Sequence, residues 1–258
     1  MITMENKERY KHLNQYLKEK FGERTLKICV DGGFTCPNRD GKLSFDGCIF
    51  CSEKGSGEHI PSELDIASQV RNHLQSYRGE RANKFIVYFQ NYTNTYDTVE
   101  NLKKKYDAAL IDDRIVGISI ATRPDCINED IVKLLSSYQD KYYVSVELGL
   151  QTSNDKTAKL INRGYESSQF TRAVHLLNQY YIDVIAHIMI GLPYETMDDL
   201  KNTVNFINNH NIQGLKIHSC YIVENTKLLN MYKERILLSH FFRILFRSGL
   251  LYNYSYSS

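Results

Sequence analysis

The sequence predicts an α/β fold: an open barrel of parallel strands with helices outside and a polar interior. Three observations lead there. Short β-rich apolar runs alternate with helical patterns along most of the chain, which implies parallel strands joined by right-handed crossovers. The strands have one apolar and one polar face. The cysteines cluster just past the end of the first strand, where β/α barrels place their chemistry.

The predicted strands are 26–31, 85–89, 116–121, 142–149, 183–190 and 214–219, and the helices between them are 63–78, 98–110, 129–139, 155–162, 169–180 and 198–209. Thr196, three residues before Asp199, marks the start of the last of these. In the fourth strand Val144, Val146, Leu148 and Leu150 alternate with Ser145, Glu147, Gly149 and Gln151. The third strand sets Val116, Ile118 and Ile120 against Gly117, Ser119 and Ala121, and the first sets Ile28 and Val30 against Lys27, Cys29 and Asp31. A doubly wound sheet buries both faces and reads as nearly continuous apolar strands. One apolar and one small or polar face fits a partial, TIM-like (β/α)6 barrel whose lumen receives a polar ligand.

Residues 1–24 are highly charged with no apolar stretch and read as an N-terminal helical extension rather than a secretory signal. Residues 25–232 form the core domain. Residues 233–258 (KERILLSHFFRILFRSGLLYNYSYSS) are apolar and basic with a Tyr/Ser tail, an atypical end suggestive of truncation. The longest apolar stretch, 236–251, is interrupted by His240, Arg243 and Arg247, so no membrane span is expected. The net charge of +2 is too small to argue for nucleic acid or a membrane surface. Lys103, Lys104 and Lys105 read as a solvated helix face. The expected location is cytoplasmic, where clustered thiols stay reduced and bind metal more often than they pair.

The loop after the first strand, DGGFTCPNRDGKLSFDGCIFCSEKGSGE, carries Cys36, Cys48 and Cys51. Three thiolates can hold three irons of a cubane cluster and leave the fourth iron open. Gly41 and Gly47 let the backbone wrap closely, and Phe50 can shield the cluster. A zinc site would want a fourth ligand, for which His59 is the nearby candidate. His187 and His218 on lumen strands are candidates to touch substrate, against the simpler reading of hydrogen-bonded core histidines. Cys126 and Cys220 lie near the barrel mouth, and packing explains them and Cys29 as simply.

The Cx11CxxC pattern with an aromatic before its last cysteine resembles the radical S-adenosylmethionine (SAM) superfamily. Its wide spacing is similar to that of the elongator catalytic subunit and a group of uncharacterised bacterial relatives. DGGFTCPNRDG (31–41), YFQNYTNTY (88–96), SIATRPDCI (119–127), ELGLQTSNDKTAKLINRG (147–164) and HIMIGLPYET (187–196) carry the same resemblance. It implies a [4Fe–4S] cluster on Cys36, Cys48 and Cys51, with SAM cleaved reductively to a 5′-deoxyadenosyl radical that abstracts hydrogen from substrate. It further implies SAM contacts from Gln90 and Asn91, where the superfamily usually has Gly-Gly-Glu, and from Arg123, Asp125, Glu147, Gln151 and Gly191. For Glu147 a buried partnership with Lys27 or Lys216 is the competing reading, and for Asn162, Arg163 and Gly164 a helix C-cap. No residue is assigned to the hydrogen abstraction itself. An electron donor such as flavodoxin or ferredoxin would be a partner, and a tRNA base is the substrate suggested by analogy. Two other readings remain: an iron–sulfur or zinc module without SAM chemistry, and an inactive truncated relative.

Overall fold

A computed structural model describes residues 10–53, 55, 60 and 63–234. Six parallel strands form one sheet in the order β1-β2-β3-β4-β5-β6: β1 (Thr25–Asp31), β2 (Lys84–Gln90), β3 (Ile115–Thr122), β4 (Tyr143–Gln151), β5 (Asp183–Ile190) and β6 (Gly214–Ser219). This is the curled half-barrel that the alternating pattern predicts. All six predicted strands form, with ends that differ by two residues at most.

The helices are α1 (Leu13–Phe21), α2 (Ile66–Leu74), α3 (Val99–Asp107), α4 (Glu129–Ser136), α5 (Asp155–Leu160), α6 (Ser167–Gln179), α7 (Met197–Asn208) and α8 (Lys227–Lys233). Several are shorter than predicted, chiefly at their C-terminal ends, while polar caps mark their starts. Asp65 accepts from Ser68 N before α2, Thr98 from Asn101 N before α3, and Asn128 from Ile131 N before α4. Thr196 and Asp199 form the reciprocal box foreseen at α7. The sequence reading missed α8 altogether.

The face parity holds. Ile28, Val30, Val87, Ile118, Ile120, Val146, Leu148 and Val184 pack in one core with Val70, Leu102, Leu135, Phe170 and Leu177 from the helices. The opposite face is concave, because side chains from β1, β4 and β6, which share no ladder, meet across it: Glu147 reaches both Lys27 and Lys216. At the N-terminal strand ends α1 covers the barrel floor. Tyr16 donates to Asp183 Oδ2 (3.0 Å), Lys84 to Phe21 O (2.8 Å), and Leu17 is buried. α1 is therefore part of the barrel's packing. No helix among the described residues is long and apolar enough to cross a membrane. The C-terminal residues 235–258, their apolar stretch included, and His59 lie outside the described residues.

Candidate metal centre and lumen

The cysteine loop leaves β1 at a fixed point. The buried Gln69 side chain binds Asp31 like a neighbouring strand, accepting from Asp31 N (2.8 Å) and donating to Asp31 O (3.0 Å). The chain then turns at Gly33 (φ 63°), whose N–H donates to Asp31 Oδ1 (2.8 Å). Cys36 O accepts from Arg39 N and Asp40 N, and Cys51 N donates to Cys48 O (3.0 Å), so each end of the cysteine segment is a tight turn.

A second layer of bonds comes from far away in the sequence. Ile49, between the last two cysteines, donates its N–H to Ile161 O (3.1 Å) and accepts from Leu228 N of α8 (2.9 Å). Asn162 Nδ2 donates to Gly47 O (2.7 Å), and Asn38 Nδ2 to Asn162 O (2.6 Å). Asn38 Nδ2 also stands 3.7 Å from Cys48 Sγ. Arg39 donates to Cys51 O (2.7 Å) and Ser52 O (2.6 Å). The Ile161–Gly164 turn is thus the C-terminal cap of α5 and at the same time the clamp on the cysteine loop. Arg163 holds the turn from within: 1% exposed, it donates to the carbonyls of Leu150, Thr152 and Tyr165. Gly164 (φ +83°) closes the turn, and a Cβ there would stand 3.0 Å from Asn38 Oδ1 and 3.3 Å from Arg123 Nη2. Gly164→Ala is expected to cost about 1–2 kcal/mol in left-handed strain and to displace Asn38. Thermal melting should fall by a few degrees, and the iron bound per chain should fall with it.

Burial pushes the Cys48 thiol up to about 12, with the charges of Cys51 and Cys36 adding and Arg123 and the Asn38 amide opposing. Cys51 is raised by burial too, against the pull of Arg39. Three half-buried thiolates gathered on one loop repel one another unless a metal takes up their charge. Among the described residues no three His, Cys, Asp or Glu side chains converge as ligands of one metal ion. A cubane asks for less convergence, since each thiolate binds its own iron.

Beside this loop, just past the end of β2, Asn91 Oδ1, Thr93 Oγ1 and Asn94 Oδ1 are buried with no hydrogen-bond partner among the described residues. Asn91 and Tyr92 adopt φ of 71° and 53°, the conformation glycines would supply at that point. Asn91 Nδ2 meanwhile donates to Asp31 Oδ2 (2.7 Å). These orphaned oxygens suit a cationic amino group. Gln90, at the last position of β2, pairs in register with Asp31.

The other residues singled out from the sequence fall into different surroundings. Arg123 and Asp125 form a bidentate pair with each other (2.9 and 2.8 Å), and Arg123 also donates to Arg163 O (2.9 Å). Asp125 lines a cavity of about 720 Å³ with Lys42, Tyr96, Cys126 and Gln169. Gln151 (φ 57°) accepts from Tyr165 OH (3.2 Å). Gly191 (φ 87°) makes the turn after β5. Glu147 sits within the lumen, 1% exposed, accepting from Lys27, Ser119 Oγ (3.1 Å), His187 Nε2 (2.6 Å) and Lys216 (3.4 Å). Burial favours protonation, yet the His187 bond and the two ammonium charges prevail, holding its carboxyl well below the usual range. Cys220 is buried among Ile49, Ile161, Leu192 and Leu228, where it packs beneath the cysteine loop. On α3, Lys103 and Lys104 pair with Asp107 and Glu100 of the same helix, and Lys105 with Asp97 just before it.

Glu195, in the turn before α7, accepts from Thr152 Oγ1 and joins the loops after β4 and β5. Burial is the main cause of its raised pKa of about 6. A group that binds its proton more tightly when folded weakens the fold once ionised, as pH rises through that value. Glu195→Gln should therefore raise stability by about 1–2 kcal/mol at pH 8, with the gain fading towards pH 4. Urea midpoints at the two pH values check this.

Comparison with known proteins agrees with the geometry. The Radical SAM superfamily profile matches residues 35–207. An uncharacterised Bacillus subtilis protein, YtqA, is 40% identical over 228 residues, covering 88% of this chain and 71% of its own. A tRNA uridine(34) acetyltransferase of Dehalococcoides mccartyi is 34% identical over 125 residues, covering 47% of this chain and 26% of its own. The structure of Methanocaldococcus infernus Elp3 superposes with a TM-score of 0.60 at 20% identity, over 82% of this chain and 49% of that one. The likeness to Elp3 is one of fold, and this chain spans about half of that protein.

Proposed function

We propose that the chain, which belongs to the radical SAM superfamily, is an enzyme that binds a [4Fe–4S] cluster through Cys36, Cys48 and Cys51 and uses it to cleave SAM. One observation carries this reading. The three cysteines lie on a single loop at the C-terminal mouth of the barrel, clamped by the Ile161–Gly164 turn and by α8, with unfilled buried acceptors at Asn91 and Thr93 alongside. When bound, the cluster and SAM supply a one-electron cleavage of the sulfonium and a 5′-deoxyadenosyl radical.

The chain's own part is to hold and to exclude. Asn38 and Arg39 fix the backbone around Cys48 and Cys51, and the Asn38 amide is placed to donate to the Cys48 thiolate. The Asn91 and Thr93 oxygens would take the amino group of SAM. Gln151 and the Gly191 turn edge the lumen where a ribose and adenine would lie. Arg123 and Asp125 neutralise each other and support the Arg163 turn, a positioning role. Glu147 orders the lumen. An electron donor of the flavodoxin or ferredoxin kind would serve the cluster, and the cytoplasm would house both. The partial likeness to tRNA acetyltransferases makes a tRNA base the first substrate to try.

Anaerobic reconstitution with iron and sulfide, followed by dithionite and SAM, tests the reading. The expected result is a cluster charge-transfer band and release of 5′-deoxyadenosine. A chain that takes up no cluster defeats the proposal. A chain that takes up a cluster but never yields 5′-deoxyadenosine is instead a module without SAM chemistry.

A further inference from the structure

The lumen below the cysteine loop carries a charge that its own residues leave unbalanced. Lys27 and Lys216, from the two edge strands, both point at one carboxylate, Glu147. The imidazoles of His187 and His218 lie beside it with ring centroids 5.0 Å apart. Burial pushes both down, His218 to about 4, so neither adds charge at neutral pH. Burial raises Cys29 and Tyr88, which stay protonated. The two other carboxylates on this face stand at its ends: Asp31, about 13 Å along β1 from Lys27, is held by the neutral Asn91 and Gly33, and Asp183 is paired with Lys20 and Tyr16. Two ammonium groups against one carboxylate leave one positive charge in the middle of the lumen.

That surplus falls on Lys216. Lys27 is the lysine closest to Glu147, whereas Lys216 stands 3.4 Å from Glu147 Oε2 and 3.2 Å from Tyr88 OH, with 41% of its side chain exposed. Both contacts are at the long end of the hydrogen-bond range. Two residues further along β6, on the same face, His218 Nε2 is buried with no hydrogen-bond partner among the described residues. An ammonium with capacity to spare and an unsatisfied imidazole nitrogen thus face the same space.

We propose that the lumen binds an anionic group of the substrate, a carboxylate or a phosphate, with Lys216 supplying the charge and His218 a hydrogen bond. The assignment of that anion to a substrate rests on the enzymatic reading above, but its binding does not need the cluster. Inorganic phosphate and acetate are therefore suitable probes, followed by NMR line broadening on titration into the reconstituted chain and, in parallel, into Cys48→Ala.

Saturable binding of either anion to both chains is expected. Tighter phosphate would point to a phosphoester substrate and tighter acetate to a carboxylic acid. Lys216→Met should weaken binding by at least about tenfold, Lys216→Arg should retain it, and His218→Phe should weaken it less than Lys216→Met. Circular dichroism of each variant separates lost binding from lost fold. No saturable binding in the wild type, or binding indifferent to Lys216→Met in a folded chain, overturns the proposal. So does displacement of the probe by SAM, which would assign these groups to the cofactor. If Cys48→Ala binds the anion but no cluster forms in the wild type, the enzymatic reading fails while the anion site stands.

Discussion

Cys48→Ala, reconstituted with iron and sulfide, is expected to show no cluster charge-transfer band and to form no 5′-deoxyadenosine. The size of the effect follows from what surrounds the residue. Its thiol is pushed up to about 12 by burial and by the neighbouring Cys51 and Cys36, so this is a place that favours a thiolate only when metal is there to bind it. Asn38 approaches its sulfur, and the backbone on either side is tied down at Gly47 and Ile49. Loss of an outer-shell partner alone typically costs 10–100-fold in metal affinity, and loss of the ligand itself should cost more. Without metal the substitution should lower stability only by about 1 kcal/mol for the lost sulfur, because the clamps hold the loop's backbone, which alanine keeps. Cys220→Ala is the control. It removes a buried sulfur from beneath the loop, which should lower stability by about 1 kcal/mol and leave the cluster band intact. A cluster that survives in Cys48→Ala would mean that a different ligand set holds it.

The barrel and the cysteine loop could be read from the sequence for the same reason: both are local patterns. Strand parity is a two-residue period, and alternating Glu147 with Val146 and Leu148 says which face is wet before any partner is known. What holds the loop in place could not be read that way. The Asn38 amide meets Asn162 O, and Leu228 N meets Ile49 O. Each is a bond to a backbone carbonyl, which every residue carries, so the sequence marks one partner at most. Arg163 looked like a cation at a helix end, and its fork to three buried carbonyls became visible only with the strand ends in place. The Arg123–Asp125 pair shows the converse. Two charged residues at a strand end read as ligand contacts, and only the fold shows that they also pair with each other and brace the Arg163 turn. Glu147 reads from the sequence as a candidate partner of Lys27 or Lys216, and in the fold it pairs with both.

Glu147→Ala is expected to be the most destabilising substitution in the lumen. In an open barrel β1 and β6 are edges with no ladder between them, and Glu147 is where side chains from both converge. Its removal leaves Lys27, largely shielded, and His187 without their acceptor. Breaking a buried pair from one side costs about 3–5 kcal/mol. The exposed Lys216 recovers hydration, which argues for the lower end, about 3 kcal/mol, or roughly 6–12 °C in melting temperature. The pH dependence identifies the cause. The carboxyl is held below its ordinary value of about 4.3, so its ionised form stabilises the fold at higher pH. That contribution declines as the pH drops beneath the ordinary value towards the folded one. Glu147→Gln keeps one acceptor but does not titrate. The stability gap between wild type and Glu147→Gln, measured by urea midpoints, should therefore be widest at pH 7 and narrow steadily below pH 4. A gap that stays constant with pH would mean that Glu147 acts through shape alone. The lysines would then be free of its charge, and the lumen more positive than its pairing now implies.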